Sequence, residues 1–292
     1  MNVTTLQRSV ARIDRPTVER GMTPEHRVRP LIPSGDPKAT DPFLLLMEDW
    51  FPRGVFDEHP HRGMETVTYV IDGRLDHYDN YGNEGSILPG NVQWMTAGRG
   101  IIHLEQPADG VTVHSLQLWV NLPAAYKMVE PRTQNLVAAD LPLRREQGAE
   151  IRVFSGTSGD VISPTKNYTP VTMLEVRLEA GARIRQELPA DYNAFIVVLE
   201  GDGLIGGNQS PVRLGDVVWL TRTEEDGLSE MNISEVSIAG GTAPLRVLLY
   251  AGRPLREPVV ARGPFVMNTE AQLRQASIDY REGRFEPSGR ST

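Results

Sequence analysis

The sequence predicts an all-β protein that contains two copies of one barrel or sandwich. Short apolar and β-branched segments alternate with turn signals along the chain and leave no room for the helices of an α/β protein. A glycine-and-tryptophan pattern occurs twice, as an internal duplication would produce. The length of 292 residues suits two domains of ordinary size.

Composition narrows the class of protein and the kind of site. Hydrophobic residues make up 39% and charged residues 23% of the chain, as in soluble globular proteins. No apolar run is long enough for a membrane span and the first residues lack a signal peptide, so we expect a cytoplasmic protein that does not bind membranes. A formal charge of −8 argues against direct nucleic-acid binding. Because the chain has no cysteine, any metal must be bound by nitrogen and oxygen.

The elements of the first copy follow from apolar segments and turn residues. Residues 1–41 are rich in Arg, Pro and Thr and predict an irregular arm followed by an edge strand. The dipeptide Asp72-Gly73 is a hairpin signal between two strands. The predicted strands are 43–47, 66–71, 74–79, 92–95 and 111–120.

The second copy repeats the spacing of the first. Gly73 followed by Trp94 is echoed by Gly201 followed by Trp219, with similar apolar residues around each. Prolines and a charged run interrupt the strand pattern over residues 122–149, and we predict domains at 1–138 and 139–292. Near the end of the chain, Thr269 with Gln272 three residues later predicts a capping box that opens one short helix over 270–280.

Four side chains in the first copy have the spacing of metal ligands. His59 and His61 are two residues apart, as are His103 and Glu105. Residues two apart in a strand point to the same face, so two paired strands would direct three imidazole nitrogens and one carboxylate oxygen to one centre. The sequence therefore predicts one metal site made of these four residues.

The second copy lacks such a set. The corresponding positions, counted from the turn glycine and the tryptophan, are Glu187, Pro189, Leu228 and Glu230, and no histidine follows His114. We therefore expect one metal per chain, in the first copy.

Long motifs in the chain resemble the pirin family. The resemblance covers most of residues 41–285, and its motifs are HPHRGMETVTY (59–69), VQWMTAGRGIIHLE (92–105), LQLWVNLP (116–123), PLREPV (254–259) and GPFVMNT (263–269). It implies a bicupin, in which two jelly-roll β-barrels pack together and the N-terminal barrel alone binds a metal. The family's three histidines and one glutamate fall on His59, His61, His103 and Glu105.

The resemblance also implies a cofactor and a reaction. The expected cofactor is one divalent metal ion, Fe(II) in preference to Mn, Ni, Cu, Co or Zn, because a carboxylate beside imidazoles favours harder, redox-active ions. Some pirins resemble quercetin 2,3-dioxygenase, which uses O₂ to open the heterocyclic ring of a flavonol and releases carbon monoxide. In that reaction Glu105 would also be catalytic, as the base that takes the flavonol hydroxyl proton.

A second function class stays open. Some pirins resemble regulatory proteins, acting as transcriptional cofactors or as modulators of a metabolic enzyme, in which the metal supports binding of a protein partner without turnover. An apolar, accessible cavity over the metal would favour the enzyme, and a site filled by side chains would favour the regulator. The sequence leaves open the bound ion, the natural substrate, the oligomeric state and the partner.

Other polar and aromatic residues near the motifs have ordinary structural explanations. His77 and His114 are interpreted as packed strand histidines, and Glu65 as a structural or supporting residue that faces away from the ligands. Arg62 and Arg99 are expected to be surface or turn charges. Trp94 and Trp119 are expected to be core residues.

Overall fold

The computed structural model describes residues 6–222 and 233–287. The chain divides into two compact units. One unit, called here the first barrel, consists of Thr17–Ala138 and Leu255–Thr292; the other, called the second barrel, consists of Met1–Pro16 and Ala139–Pro254. The N-terminal segment therefore belongs to the second barrel, and the C-terminal segment belongs to the first. The division into domains at 138 and 139 stays a prediction.

Strands form almost all of the regular structure. The first thirteen are β1 (Leu6–Gln7), β2 (Val10–Asp14), β3 (Glu19–Arg20), β4 (Arg27–Ile32), β5 (Phe43–Phe51), β6 (His59–His61), β7 (Met64–Asp72), β8 (Leu75–Asp79), β9 (Glu84–Ile87), β10 (Val92–Thr96), β11 (Ile101–Pro107), β12 (Val113–Asn121) and β13 (Arg132–Leu136). The others are β14 (Leu143–Glu146), β15 (Ala149–Ser155), β16 (Thr157–Ser158), β17 (Val161–Ile162), β18 (Val171–Leu178), β19 (Arg183–Pro189), β20 (Asn193–Glu200), β21 (Asp202–Ile205), β22 (Ser210–Arg213), β23 (Val217–Leu220), β24 (Ile233–Gly240), β25 (Leu245–Gly252), β26 (Val260–Arg262) and β27 (Phe265–Met267). Two 3₁₀ turns cover Ala124–Tyr126 and Ala138–Asp140, and the helix α1 covers Glu270–Arg281.

Both barrels have the same strand order. The first consists of a seven-stranded sheet, β13-β10-β7-β12-β5-β4-β3, and a four-stranded sheet, β6-β11-β8-β9. The second has the sheet β14-β15-β18-β25-β20-β23-β2 and the sheet β1-β24-β21-β22, with β19 added on β24. The run β10-β7-β12-β5 thus recurs as β23-β20-β25-β18. The expected all-β bicupin fold with a short C-terminal helix is confirmed.

The N-terminal arm is the main departure from the expected elements. The sequence predicts an irregular segment before one edge strand, but β1, β2, β3 and β4 all lie within residues 6–32. Their side chains are mostly exposed or half-buried, so they lack the apolar alternation that identifies a strand in sequence. β1, β2 and β3 are short additions at sheet edges, whereas β4 lies between β3 and β5, and all four are held by backbone pairing.

The C-terminal helix begins as predicted. The Thr269 side chain accepts a hydrogen bond from the Gln272 backbone N–H, and the Gln272 side chain accepts one from the Thr269 N–H. This capping box satisfies two of the amides that a helix start leaves without partners. An apolar cluster fixes the helix against the hairpin of β26 and β27, and its members are Phe265, Met267, Leu273, Ala276 and Phe285.

The interiors of the two barrels differ at the equivalent places. In the first barrel His77 lies opposite Glu105 in the ladder between β8 and β11. Counting from Gly73 and Gly201, the equivalent of His77 is Ile205, which lies opposite Ile238. The structural counterparts of the predicted ligands are therefore buried and carry no imidazole, namely Gln186, Leu188, Val236 and Ile238.

This register corrects the positions that sequence spacing assigns in the second copy. Glu187 is exposed and lies one residue from the inward-facing Gln186, while Pro189 is only half-buried. Leu228 and Glu230 lie outside the described residues. The counterparts in β19 and β24 include no histidine, so the expectation that this barrel offers no imidazoles agrees with them. Among the described residues, no helix is long and apolar enough to cross a membrane.

Candidate metal centre

The two strands that carry the predicted ligands are paired. Strands β6 and β11 run antiparallel, with His59 opposite His103 and His61 opposite Ile101. Alternation along β11 then turns His103 and Glu105 to one face, and both are buried. The structure thus brings the sequence-predicted residues together in the first barrel.

The three histidines form a compact group. One ring nitrogen of each of His59, His61 and His103 lies within 4.8 Å of those of the other two. The Nε2 atoms of His59 and His103 are 3.1 Å apart. Two ligands at about 2.1 Å from one ion and at right angles to each other would be about 3 Å apart, so this spacing suits neighbouring ligands of a single ion.

The electrostatic environment keeps two of these rings neutral. Burial lowers the pKa of His61 well below its usual value, and the neighbouring His59 lowers it further. Burial also lowers the pKa of His103 well below its usual value, with smaller contributions from nearby imidazoles. A neutral imidazole has the free lone pair that a metal requires.

Glu105 joins the group through His103. Ligand atoms of Glu105, His103 and His77 lie within 4.8 Å of one another. One Glu105 oxygen accepts a hydrogen bond from the Thr68 hydroxyl at 3.1 Å, and the other accepts one from Gln117 Nε2 at 2.8 Å. Each carboxylate oxygen keeps a further lone pair, so these bonds orient Glu105 without preventing coordination.

His77 is closer to the site than its sequence context indicates. It is fully buried, and its ring centre is 5.4 Å from that of His103. Its Nε2 lies 3.3 Å from Asp79, which also accepts hydrogen bonds from Tyr81, Asn83 and Thr133. A carboxylate held this firmly fixes the orientation of the His77 ring beside the ligands. The sequence offered a signal in the alternation of His77 and Asp79 on one strand face.

Arg62 is buried, contrary to the expectation of a surface charge. It follows His61 directly, and its guanidinium donates to Asp279 of α1 at 2.7 Å and to the backbone carbonyl of Arg99. The same group lies 4.5 Å from the centre of the Phe285 ring. Arg62 therefore connects the strand of His59 and His61 with the loop before β11 and with the C-terminal segment.

A cavity of about 390 Å³ opens beside the cluster. The polar residues of its wall are His59, His61, Glu105, Thr68, Gln117, Asp49, Ser115, Asp57 and Glu58. Its other walls are largely apolar and aromatic, formed by Met22, Phe51, Val55, Phe56, Leu75 and Trp119. The cluster is therefore accessible to a small molecule of aromatic character.

Trp119 is a wall of this cavity rather than a simple core residue. Its ring meets the His61 ring edge-on, with centres 5.3 Å apart. Its Nε1 donates to the Gln117 Oε1 at 3.3 Å, which directs the Gln117 amide nitrogen to Glu105. Trp94, in contrast, is a fully buried core residue as expected.

The remaining polar residues have structural contacts. Buried Glu65 accepts a hydrogen bond from Thr96 on the neighbouring strand β10. His114 is half-buried, bonds to Glu48 at 2.8 Å and stacks on Trp50. Neither residue lies in the cavity wall.

The donor set fits a divalent metal ion. Among the described residues, three buried ring nitrogens lack a hydrogen-bond partner of good geometry. They are Nδ1 and Nε2 of His61 and Nδ1 of His103. Buried polar atoms normally have partners, and one ion would satisfy one nitrogen of the His61 ring. Three imidazoles with one carboxylate suit Fe, Mn, Co, Ni, Cu and Zn, so the residues define the kind of site but not the ion.

The fold and this cluster together define a bicupin with one candidate metal centre. The pirin family model matches residues 28–120, and the model for the pirin C-terminal cupin domain matches residues 173–286. Pirin-like protein 2 of Arabidopsis thaliana is 43% identical over 88% of this chain and 79% of its own length. The chain belongs to the pirin family.

Solved structures agree with this assignment. The crystal structure of GK1651 from Geobacillus kaustophilus is 49% identical, with a TM-score of 0.83 over 88% of this chain and all of that one. A structure of quercetin 2,3-dioxygenase from Acinetobacter baumannii is 29% identical, with a TM-score of 0.82 over 96% of this chain and 99% of that one.

Proposed function

We propose that the chain is a metal-dependent oxidoreductase that opens the heterocyclic ring of a flavonol with O₂ and releases carbon monoxide. The observation that carries this proposal is the cavity beside His59, His61 and Glu105, which is open and mostly apolar. A purely regulatory metal site does not need such a cavity. The similarity to the quercetin 2,3-dioxygenase of Acinetobacter baumannii supports the same reaction class.

In this proposal His59, His61, His103 and Glu105 hold one ion, with Fe(II) preferred. When bound, the ion would supply positive charge that favours the deprotonated flavonol and a place where substrate and O₂ meet. The imidazoles contribute no charge, and Glu105 contributes one negative charge.

Glu105 is the proposed catalytic base. Its carboxylate lies in the cavity wall, within reach of a hydroxyl group presented to the cluster. Thr68 and Gln117 hold its two oxygens, so the base is already oriented before the substrate enters. Aromatic and aliphatic walls exclude water from the electron-rich ring and restrict its orientation.

Anaerobic loading tests this function directly. We expect protein loaded with Fe(II) to consume quercetin after oxygen is added, measured as loss of the flavonol absorption band and as carbon monoxide release. The variant His103→Ala should lose this activity, whereas His114→Ala, altered outside the cavity, should keep it. Turnover no higher than that of free metal, with the same rate for His103→Ala, would exclude the dioxygenase. A regulatory role with a protein partner would then be the better explanation.

A further inference from the structure

Besides Glu105, three carboxylate residues line the same cavity, namely the buried Asp49 and the exposed Asp57 and Glu58. Asp49 of β5 is 7% exposed and lines the cavity beside Phe51. Its Oδ1 is 2.8 Å from the Nε2 of His26, which is itself buried. Nothing in the proposed metal chemistry uses either residue.

The surroundings of His26 fix the direction of this hydrogen bond. The backbone N–H of Met22 donates to His26 Nδ1 at 3.0 Å, so that nitrogen is an acceptor and the ring proton lies on Nε2. His26 therefore donates to Asp49. Phe51 and Phe56 contact the His26 ring edge-on, at centre distances of 6.1 and 5.3 Å, and prevent it from turning.

The strand register locates Asp49 relative to the cluster. Asp49 lies opposite Ser115 in the ladder between β5 and β12. Gln117, whose amide holds Glu105, is two residues further along β12, a distance of about 7 Å in a strand. Asp49 thus presents an acceptor carboxylate to the cavity at a position about two strand residues from Gln117, which holds Glu105.

We propose that Asp49 binds a phenolic hydroxyl of the substrate in this cavity. This inference rests on the proposed function, because it assumes that the cavity accepts an aromatic molecule. The apolar walls accommodate uncharged rings, and a buried carboxylate with one oxygen held by His26 accepts a further hydrogen bond. A hydroxylated aromatic satisfies both conditions, whereas an anionic group near Asp49 would be repelled.

Binding under anaerobic conditions tests the inference without turnover. The probes are 3-hydroxyflavone, quercetin, and quercetin in which every hydroxyl except the 3-hydroxyl is methylated, each titrated into Fe(II)-loaded protein. We expect wild-type protein to bind quercetin at least about tenfold more tightly than the other two, as a hydrogen bond to a charged group would give. Equal affinity for quercetin and its methylated form would overturn the inference, and this comparison requires no variant.

Variants then assign the effect to Asp49. Asp49→Ala should weaken quercetin binding about tenfold and leave 3-hydroxyflavone within about twofold, while Asp49→Asn, which keeps an acceptor, should lose less. Asp76 is equally buried at 7% but lies outside the cavity wall, so Asp76→Ala is the matched control and should change neither affinity. Equal weakening of both ligands by Asp49→Ala would contradict a specific hydroxyl contact.

The outcomes separate this inference from the proposed function. Discrimination between the probes without carbon monoxide release would support the binding role of Asp49 and refute the dioxygenase. Turnover of quercetin with a KM unchanged in Asp49→Ala would support the dioxygenase and refute the binding role of Asp49. Failure of wild-type protein to bind any of the three flavonols would refute both.

Discussion

Arg62 and Asp279 form a buried ion pair at 2.7 Å, between the residue that follows His61 and the last turn of the C-terminal helix. Gln275 and Arg284 also donate to Asp279, so its carboxylate has three donors. Phe285 completes the contact by packing under the Arg62 guanidinium and against Gly100. A Cβ at Gly100 would come within 2.6 Å of the Phe285 ring, so a larger residue would displace the C-terminal segment.

Removal of Asp279 should destabilise the first barrel. In Asp279→Ala the Arg62 guanidinium, whose side chain is 4% exposed, would stay buried without its counter-ion. We expect the free energy of unfolding to fall by about 3 kcal/mol, measured by denaturant titration. The exposed pair of Arg262 with Glu270 of the same helix is the control, and Glu270→Ala should cost less than about 1 kcal/mol. Similar losses in both variants would contradict a special role of the buried pair.

The contribution of the same ion pair to the free energy of unfolding should decrease at acidic pH. Burial alone would raise the pKa of Asp279, but hydrogen bonds from Arg62, Gln275 and Arg284 outweigh it and lower the pKa below the usual value. A carboxyl whose pKa is lowered by folding stabilises the protein above its unfolded pKa, and this contribution disappears as pH falls through the folded pKa. The stability difference between wild type and Asp279→Asn should therefore be full above about pH 5 and shrink towards about pH 3. A difference independent of pH would argue against this linkage.

One ion per chain should bind, in the first barrel alone. His61→Ala removes a buried neutral nitrogen from the cluster and should lower the affinity for Ni(II) or Co(II). Loss of a residue that only orients a ligand typically costs about 10–100-fold, and we expect His61→Ala to cost more. Chelator competition measures the affinity, and elemental analysis gives the stoichiometry. His114→Ala, which alters a histidine bonded to Glu48, should bind as wild type does. Two ions per chain, or unchanged affinity in His61→Ala, would refute the predicted ligand set.

His77 should support the ligands without being one. His77→Gln removes the ring that Asp79 holds beside His103, and we expect a loss of about 10–100-fold in metal affinity. The ligand-field spectrum of the Co(II) form should retain the wild-type coordination number. A loss as large as that of His103→Ala, with a changed spectrum, would show that His77 itself coordinates the ion.

Local spacing in the sequence was sufficient to predict that the four side chains share one centre and that the chain is a duplicated all-β protein, whereas the bicupin fold was implied by the resemblance to pirins. His59 with His61 and His103 with Glu105 have the two-residue period of a strand, and the structure pairs their strands. The helix start followed from Thr269 and Gln272 because a capping box is a contact between near neighbours. The two-residue spacings and the capping box involve residues close together in sequence, so a single chain reveals them. The assignment of the four residues as metal ligands stays a prediction.

Features that depend on distant contacts could not be predicted. Arg62 is buried because α1, more than 200 residues later, provides Asp279. Trp119 faces the cavity on the same side of β12 as Ser115 and Gln117. Sequence periodicity shows that a side chain points inward, but it does not distinguish a cavity wall from a filled core. His26 lies in a segment without strand signals, and its role as the residue that orients Asp49 is visible only from their contact in the structure.

The composition of the two compact units has a consequence for synthesis. Residues 255–287 complete the unit that begins at Thr17, whereas residues 6–16 belong with 139–254. As the polypeptide emerges from the ribosome, Arg62 can meet Asp279 only after the other half has been translated. The first barrel is therefore expected to reach its full stability only after translation is complete.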